Sequence, residues 1–198
     1  MPDRRKKPSP ETGPAGGNPG RARYWPLPDV ERILPPVQGA GSFWEERGDR
    51  RHTGVDLYAP PGSRVTAIED GKVISAGVFT SPELVPYWNR TYEVTISHAS
   101  GIFGRYAELG DITVGEGDSL RGGGLVGHVG EVLNLPLIGP LAPPYIRSLK
   151  ERGHGSMLHL EIYSSVPGPS PGYRGGNWFS RERPAHLLDP IPVLRDTL

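Results

Sequence analysis

Glycine and proline recur so often along these 198 residues, 28 and 23 times respectively, that a long helix has almost nowhere to run. Within a helix a glycine costs about 1 kcal/mol and a proline about 3 kcal/mol relative to alanine. Both are at home in turns and at strand ends. The chain is therefore expected to be β-rich, built from short strands and tight turns. Its length suits one ordinary domain with a tail.

The first 22 residues are rich in Pro, Gly and charge and nearly devoid of large apolar side chains. Such a segment cannot bury enough surface to offset chain entropy. A disordered leader over 1–22 is expected, and a folded domain over 23–198. The leader carries a basic run, Arg4 to Lys7, but no apolar stretch follows it. It is read as neither a signal peptide nor an anchor, and no later stretch is apolar enough to span a bilayer. As written, without a visible export route, the chain is expected to be soluble and cytoplasmic unless it is trimmed or released by lysis. Basic and acidic residues balance at 22 each, which argues against nucleic acid or anionic lipid as a partner. There is no cysteine. Any metal must therefore sit on His, Asp or Glu.

From Arg64 onward, strand and turn signals alternate. RVTAI, a Glu69-Asp70-Gly71 turn and KVISAG read as a hairpin. YEVTISH and IFGRYAEL follow, and then the glycine-rich VGEGDSLRGGGLVGHVG. MLHLEIY is the clearest strand, with Leu158, Leu160 and Ile162 on one face and Met157, His159, Glu161 and Tyr163 on the other. Two insertions interrupt the pattern, 79–91 and 131–153, and PPYIRSLKERG in the second has the proline start of a short helix. Residues 164–183 read as irregular loop, and PAHLLDPIPVL as a closing segment.

His52 and Asp56 both belong to the residue types that bind zinc. In an extended strand they lie roughly 13 Å apart, so joint ligation requires a bend, which Gly54 permits. By itself the pair also suits a surface polar cluster. His159 adds weight, because an imidazole on a strand among apolar neighbours needs a partner. A metal shared with His52 and Asp56 would supply one, and Glu161 on the same face is a candidate to orient it. The plainer alternative is that His159 and Glu161 lie on a solvated strand face.

Several stretches together resemble lysostaphin-type (LytM-like) zinc peptidases. RRHTGVDLYAPPGSRVTAIEDGKVISAG is similar to the family's HTGxD signature and the APxGxxVxAxxxGxVxxAG that follows it. SHASGIFGRYAEL resembles the strand pair ending in YAHL, VGEGDSLRGGGLVGHVG the VxxGDxVxxGxxIGxxG stretch, and GSMLHLEIY the GPHLHFEI-type strand. The resemblance covers about Trp25 to Leu194. It implies an all-β, compact antiparallel sandwich or barrel-like fold (a duplicated hybrid motif) carrying the two insertions, and one Zn2+ per chain on His52, Asp56 and His159. The partner it implies is bacterial peptidoglycan or another Gly-rich peptide.

Two positions depart from the family pattern. Met157 stands where the first histidine of the His-x-His strand is expected, and Glu108 where YAHL has its histidine. On this reading the catalytic histidine positions are degenerate and the chain's status as an enzyme is open. Glu108 is a candidate general base, or a fourth ligand that closes the site. His154, just before the site strand, is a candidate substitute, whereas His98, His128 and His186 read as structural. The expected activity is hydrolysis of cell-wall peptide bonds, weak or otherwise. The alternative is an inactive zinc-stabilised module that binds peptidoglycan, a peptide or a partner protein.

Overall fold

A computed structural model describes residues 22–197. The expected leader, apart from Ala22, lies outside the described residues. In chain order the elements are β1 (Arg51–His52), β2 (Val55–Tyr58), β3 (Arg64–Thr66), β4 (Gly71–Thr80), β5 (Thr91–His98), β6 (Phe103–Ile112), β7 (Ser119–Leu120) and β8 (Leu125–Val129). They continue with α1 (Pro144–Arg152), β9 (Met157–Tyr163), β10 (Tyr173–Arg174), β11 (Asn177–Trp178), β12 (Leu187–Leu188) and α2 (Pro190–Arg195). Neither helix is long and apolar enough to cross a membrane.

Nine strands form one antiparallel sheet whose main path runs β12-β9-β6-β5-β4-β7, with β2 on β9 and β8 joining β6 to β3. A small second sheet holds β1, β11 and β10. The main core is built from strands of the nine-stranded sheet with Trp25, Leu27 and Leu194 packed into it, and Val55, Leu57, Val94, Ile96, Tyr106, Leu158, Leu160 and Ile162 are among its members. The hydrogen-bonded β9 is buried along its whole length, which removes the solvated-face alternative for His159 and Glu161.

The expectation of an all-β, barrel-like fold is corrected on two counts. The molecule is a β-rich sandwich with two small helices, and among the described residues no barrel closes. Closure would require the end strands to pair. The terminal strands of the main path, β7 and β12, are two residues long, and each pairs with a single neighbour. Helix α1 accounts for the other correction, since it forms inside the second insertion, with Pro144 at its first turn and Gly153 in the left-handed conformation at its end.

The expected hairpin of RVTAI and KVISAG is not formed either. β3 pairs with β8, and β4 pairs with β5 and β7. Between them the backbone leaves the ladder: Ala67 N–H donates to Gly124 O at 2.9 Å and Ile68 N–H to the Tyr106 hydroxyl at 2.9 Å. The turn residues fix a change of direction, and these long-range partners decide which strand is met next.

A second apolar cluster sits apart from the main core. It joins Trp88 of the first insertion to Val132, Leu133, Ile138, Ile146 and Leu149 of the second, and both to Met157. The two insertions thus pack on each other and on the start of β9, beside the site described next.

Candidate metal centre

Asp56 and His159 are direct cross-strand partners of β2 and β9. Residues opposite each other on one sheet face have Cβ atoms about 5 Å apart, so register alone brings this carboxylate to this imidazole. His52 arrives by a bend. β1 leaves its pairing with β11 at His52, and the chain turns through Thr53 and Gly54 into β2. A Cβ on Gly54 would meet the Leu160 carbonyl oxygen at 2.3 Å, so only glycine fits. Gly54→Ala is expected to cost on the order of 1–3 kcal/mol through overpacking and to displace His52. Its melting temperature should fall and its zinc affinity weaken together.

Three ligand atoms converge. His52 Nε2 lies 3.0 Å from Asp56 Oδ1 and 3.0 Å from His159 Nδ1, and His159 Nδ1 lies 2.9 Å from Asp56 Oδ1. Ligands on a tetrahedral zinc at about 2.0–2.1 Å stand roughly 3.3 Å apart, so the atoms need to spread by only a few tenths of an ångström. All three residues are buried.

The outer atoms fit the same purpose. His52 Nδ1–H donates to the Ser42 carbonyl at 2.8 Å, which leaves the Nε2 lone pair pointing inward. His159 Nε2 pairs with Glu161 Oε1 at 3.0 Å, which leaves Nδ1 inward. Asp56 Oδ2 accepts from Arg47 Nη2–H at 2.8 Å, which leaves Oδ1. Partners of this kind fix the tautomer and orientation of metal-binding histidines.

Electrostatics follow from burial and pairing. Burial, and then the Arg47 charge, lower the His52 imidazole. Burial would raise the Asp56 carboxyl, but His52 and Arg47 hold it well below its usual range. His159 is lowered by burial yet pushed up to about 10 by its hydrogen bonds to Asp56 and Glu161. Glu161 is drawn below the carboxylate range against burial, chiefly by the Arg105 charge.

Glu108 enters from a neighbouring strand. The register of β5 against β6 skips it, passing from Tyr92↔Leu109 to Glu93↔Ala107. Its backbone adopts φ 64°, uncommon for a residue with a Cβ. It is the extra residue of a bulge, a device that re-aims a side chain. At the same point β6 exchanges one partner, β9, for another, β8. The carboxyl borders a cavity of about 30 Å3 also lined by Arg47, Asp56, Met157, Tyr145 and Asn177. Glu108 Oε2 is buried without a hydrogen-bond partner. Burial and then the Asp56 charge push this carboxyl up to about 8.

His154 lies outside the lining of that cavity. Its ring packs 4.5 Å from the Tyr58 ring, and its Nδ1 is buried without a partner. Met157 is buried in the insertion cluster and forms part of the cavity wall. Arg47 and Tyr145 escaped the sequence reading, because nothing in EERGDRR or PPYIRS marks either as facing Asp56.

Residues 50–166 match the model of peptidase family M23. The chain belongs to peptidase family M23. Membership corrects the expectation of a degenerate site and of an enzyme in doubt. Both histidines of the His-Asp-His cluster, His52 and His159, are present and converge with Asp56. The departures at 108 and 157 leave that cluster untouched, because its geometry is set by β1, β2 and β9 and their outer partners.

Among curated proteins this M23 chain is 38% identical over 81 residues to the DD-carboxypeptidase/endopeptidase Mpg of Neisseria meningitidis serogroup B, covering 41% of this chain and 17% of that protein. Among solved structures it is similar to Csd3 of Helicobacter pylori, with a TM-score of 0.50, 18% identity, and coverage of 89% of this chain and 34% of that one. It is also similar to lysostaphin, named elsewhere as the antimicrobial peptidase of Staphylococcus simulans, with a TM-score of 0.50, 18% identity, and coverage of 90% and 55%. At these identities the structural likenesses are of fold. The M23 chain spans well under two thirds of each of these three proteins.

Proposed function

We propose that this chain is a zinc-dependent peptidase that hydrolyses short, Gly-rich peptide links of bacterial peptidoglycan, with one zinc held by His52, Asp56 and His159. The observation that carries the reading is the set of three inward ligand atoms, each on a side chain whose outer atom is already satisfied by Ser42, Arg47 or Glu161. The N. meningitidis relative, whose name includes DD-carboxypeptidase and endopeptidase, supports peptide-bond hydrolysis. Bound at this cluster, zinc supplies Lewis-acid polarisation of a scissile carbonyl and acidifies water.

Glu108 acts as the proton carrier. In its ionised form Oε2 takes a proton from the attacking water and delivers it to the leaving amine as the C–N bond breaks, yielding a carboxylic acid and an amine. Met157 has no proton to give and no N–H to donate, and shapes the wall of the cavity. His154, packed on Tyr58, is a reserve proton carrier only if its ring turns away from that contact.

Glu108→Gln keeps the shape and removes the titrating oxygen. Its hydrolysis of purified peptidoglycan is expected to fall by about 100- to 10,000-fold, with zinc content unchanged. Digestion by Glu108→Gln at the wild-type rate would transfer the role to His154 or another group. No digestion by zinc-loaded wild type would remove the peptidoglycan reading.

A further inference from the structure

Arg47 is 8% exposed at its side chain and reaches three other side chains at once. Its Nη2–H donates to Asp56 Oδ2 at 2.8 Å and its Nε–H to Glu45 Oε2 at 2.9 Å. Its Nη1 lies 3.4 Å from Asn177 Oδ1, on the strand that pairs with His52. The guanidinium also sits over a fourth group, the Tyr145 ring, with its central carbon 4.8 Å from the ring centroid. Tyr145 lies in the first turn of α1, inside the second insertion.

The same loop closes on itself around Asp56. Glu45 Oε2 accepts from Gly41 N–H at 3.1 Å, and Gly41 O accepts from Asp56 N–H at 2.9 Å. Both the backbone and the outer oxygen of Asp56 are thereby tied to one segment, 41–47. A carboxylate with two free oxygens can bind a metal through one or both, or rotate between them. With Oδ2 held by a guanidinium, only Oδ1 is offered. A cation stacked on an aromatic face within about 6 Å is held there by the ring quadrupole, more strongly when desolvated. The insertion helix thus contributes to where Arg47 sits.

We propose that Arg47 is a positioning residue that fixes Asp56 as a one-oxygen metal ligand, and that the insertion helix sets Arg47 through the Tyr145 ring, so that the insertion is part of the metal site. The proposal rests on zinc being the resident metal, as above. It assigns the second insertion a role in metal affinity.

The test measures zinc affinity of the full chain by competition with a chromophoric chelator, together with the visible spectrum of the cobalt(II)-substituted protein, which reports ligand geometry. Arg47→Met is expected to weaken zinc binding by about 10- to 100-fold, the usual effect of losing a partner of a metal ligand, and to alter the cobalt spectrum. Arg47→Lys should not restore either, because an ammonium lacks the planar fork that reaches Asp56 and Glu45 together over the Tyr145 ring. Tyr145→Ala should weaken binding less, Tyr145→Phe should leave it at the wild-type value, and Tyr145→Ala in the Arg47→Met background should add nothing further. Affinity and spectrum unchanged in Arg47→Met overturn the proposal. So does an equal loss from Tyr145→Ala with and without Arg47, which would mean that the helix acts by bulk packing. If Arg47→Met does not fold, the Tyr145→Ala and Tyr145→Phe pair decides: equal affinities overturn the proposal, and loss in the alanine variant alone supports it. A wild-type chain that binds no zinc overturns this inference and the proposed function together, whereas failure of the variants alone leaves the proposed function standing.

Discussion

His159→Ala is expected to abolish stoichiometric zinc binding and, with it, all detectable hydrolysis. His159 touches both other ligands, at 2.9 Å to Asp56 and 3.0 Å to His52. Two ligands alone leave a zinc site without the third protein donor that catalytic sites use. Zinc should stabilise the wild-type protein, because an ion that binds only the folded chain contributes RT ln(1 + [L]/Kd), about 2.7 kcal/mol at a hundredfold excess over Kd. Adding zinc should therefore raise the melting temperature of wild type and leave that of His159→Ala unmoved. The comparison is made within each protein, so any loss of stability in the metal-free variant does not confuse it. Retention of one zinc per chain in His159→Ala would remove this residue from the ligand set.

The second large effect lies behind the metal, at Glu161. This carboxylate is wholly buried and gathers Thr53, Tyr173 and His159 on one oxygen and Arg105 and Tyr163 on the other. Arg105 Nη1 stands 2.9 Å from Glu161 and is the only one of the five with a permanent positive charge. Breaking a buried ion pair by removing one partner costs about 3–5 kcal/mol, since the other charge stays behind uncompensated. Arg105→Met should lower the metal-free protein's unfolding free energy by that amount at neutral pH, read from urea unfolding.

The pH dependence has a definite sign. Glu161 has a folded pKa held below its unfolded value of about 4.3. Its contribution to stability is present above that unfolded value and is lost as pH falls toward the folded one. The gap between wild type and Arg105→Met should therefore be full at pH 7 and narrow below about pH 4. Equal unfolding midpoints at pH 7 would show that the four remaining donors suffice without the guanidinium.

Much of this molecule is legible from residue order alone. The density of glycine and proline excludes long helices, alternation in MLHLEIY marks β9, and the proline-led PPYIRSLKERG marks α1. His52, Asp56 and His159 are found by type and by resemblance, because a motif records which side chains a metal needs. Turn residues at 69–71 announce a reversal but not its partner, so a hairpin expected from local signals became separate pairings of β3 with β8 and of β4 with β5 and β7. Local chemistry has no information about which edge a strand will meet.

The remainder was decided by tertiary structure. Glu108 reaches the site because a bulge places an extra residue at φ 64° where β6 passes from β9 to β8, and nothing in YAEL specifies that geometry. Arg47 and Tyr145 are separated by nearly a hundred positions, and their contact exists only because the second insertion folds back over the cavity. The sheet stays open because its last strands are too short to find each other, a matter of how the whole chain packs. Residue types and their order determined the donors, the strands and the family of this protein. The partners of those donors, and so the electrostatics of the site, depend on contacts between remote segments that no local pattern encodes.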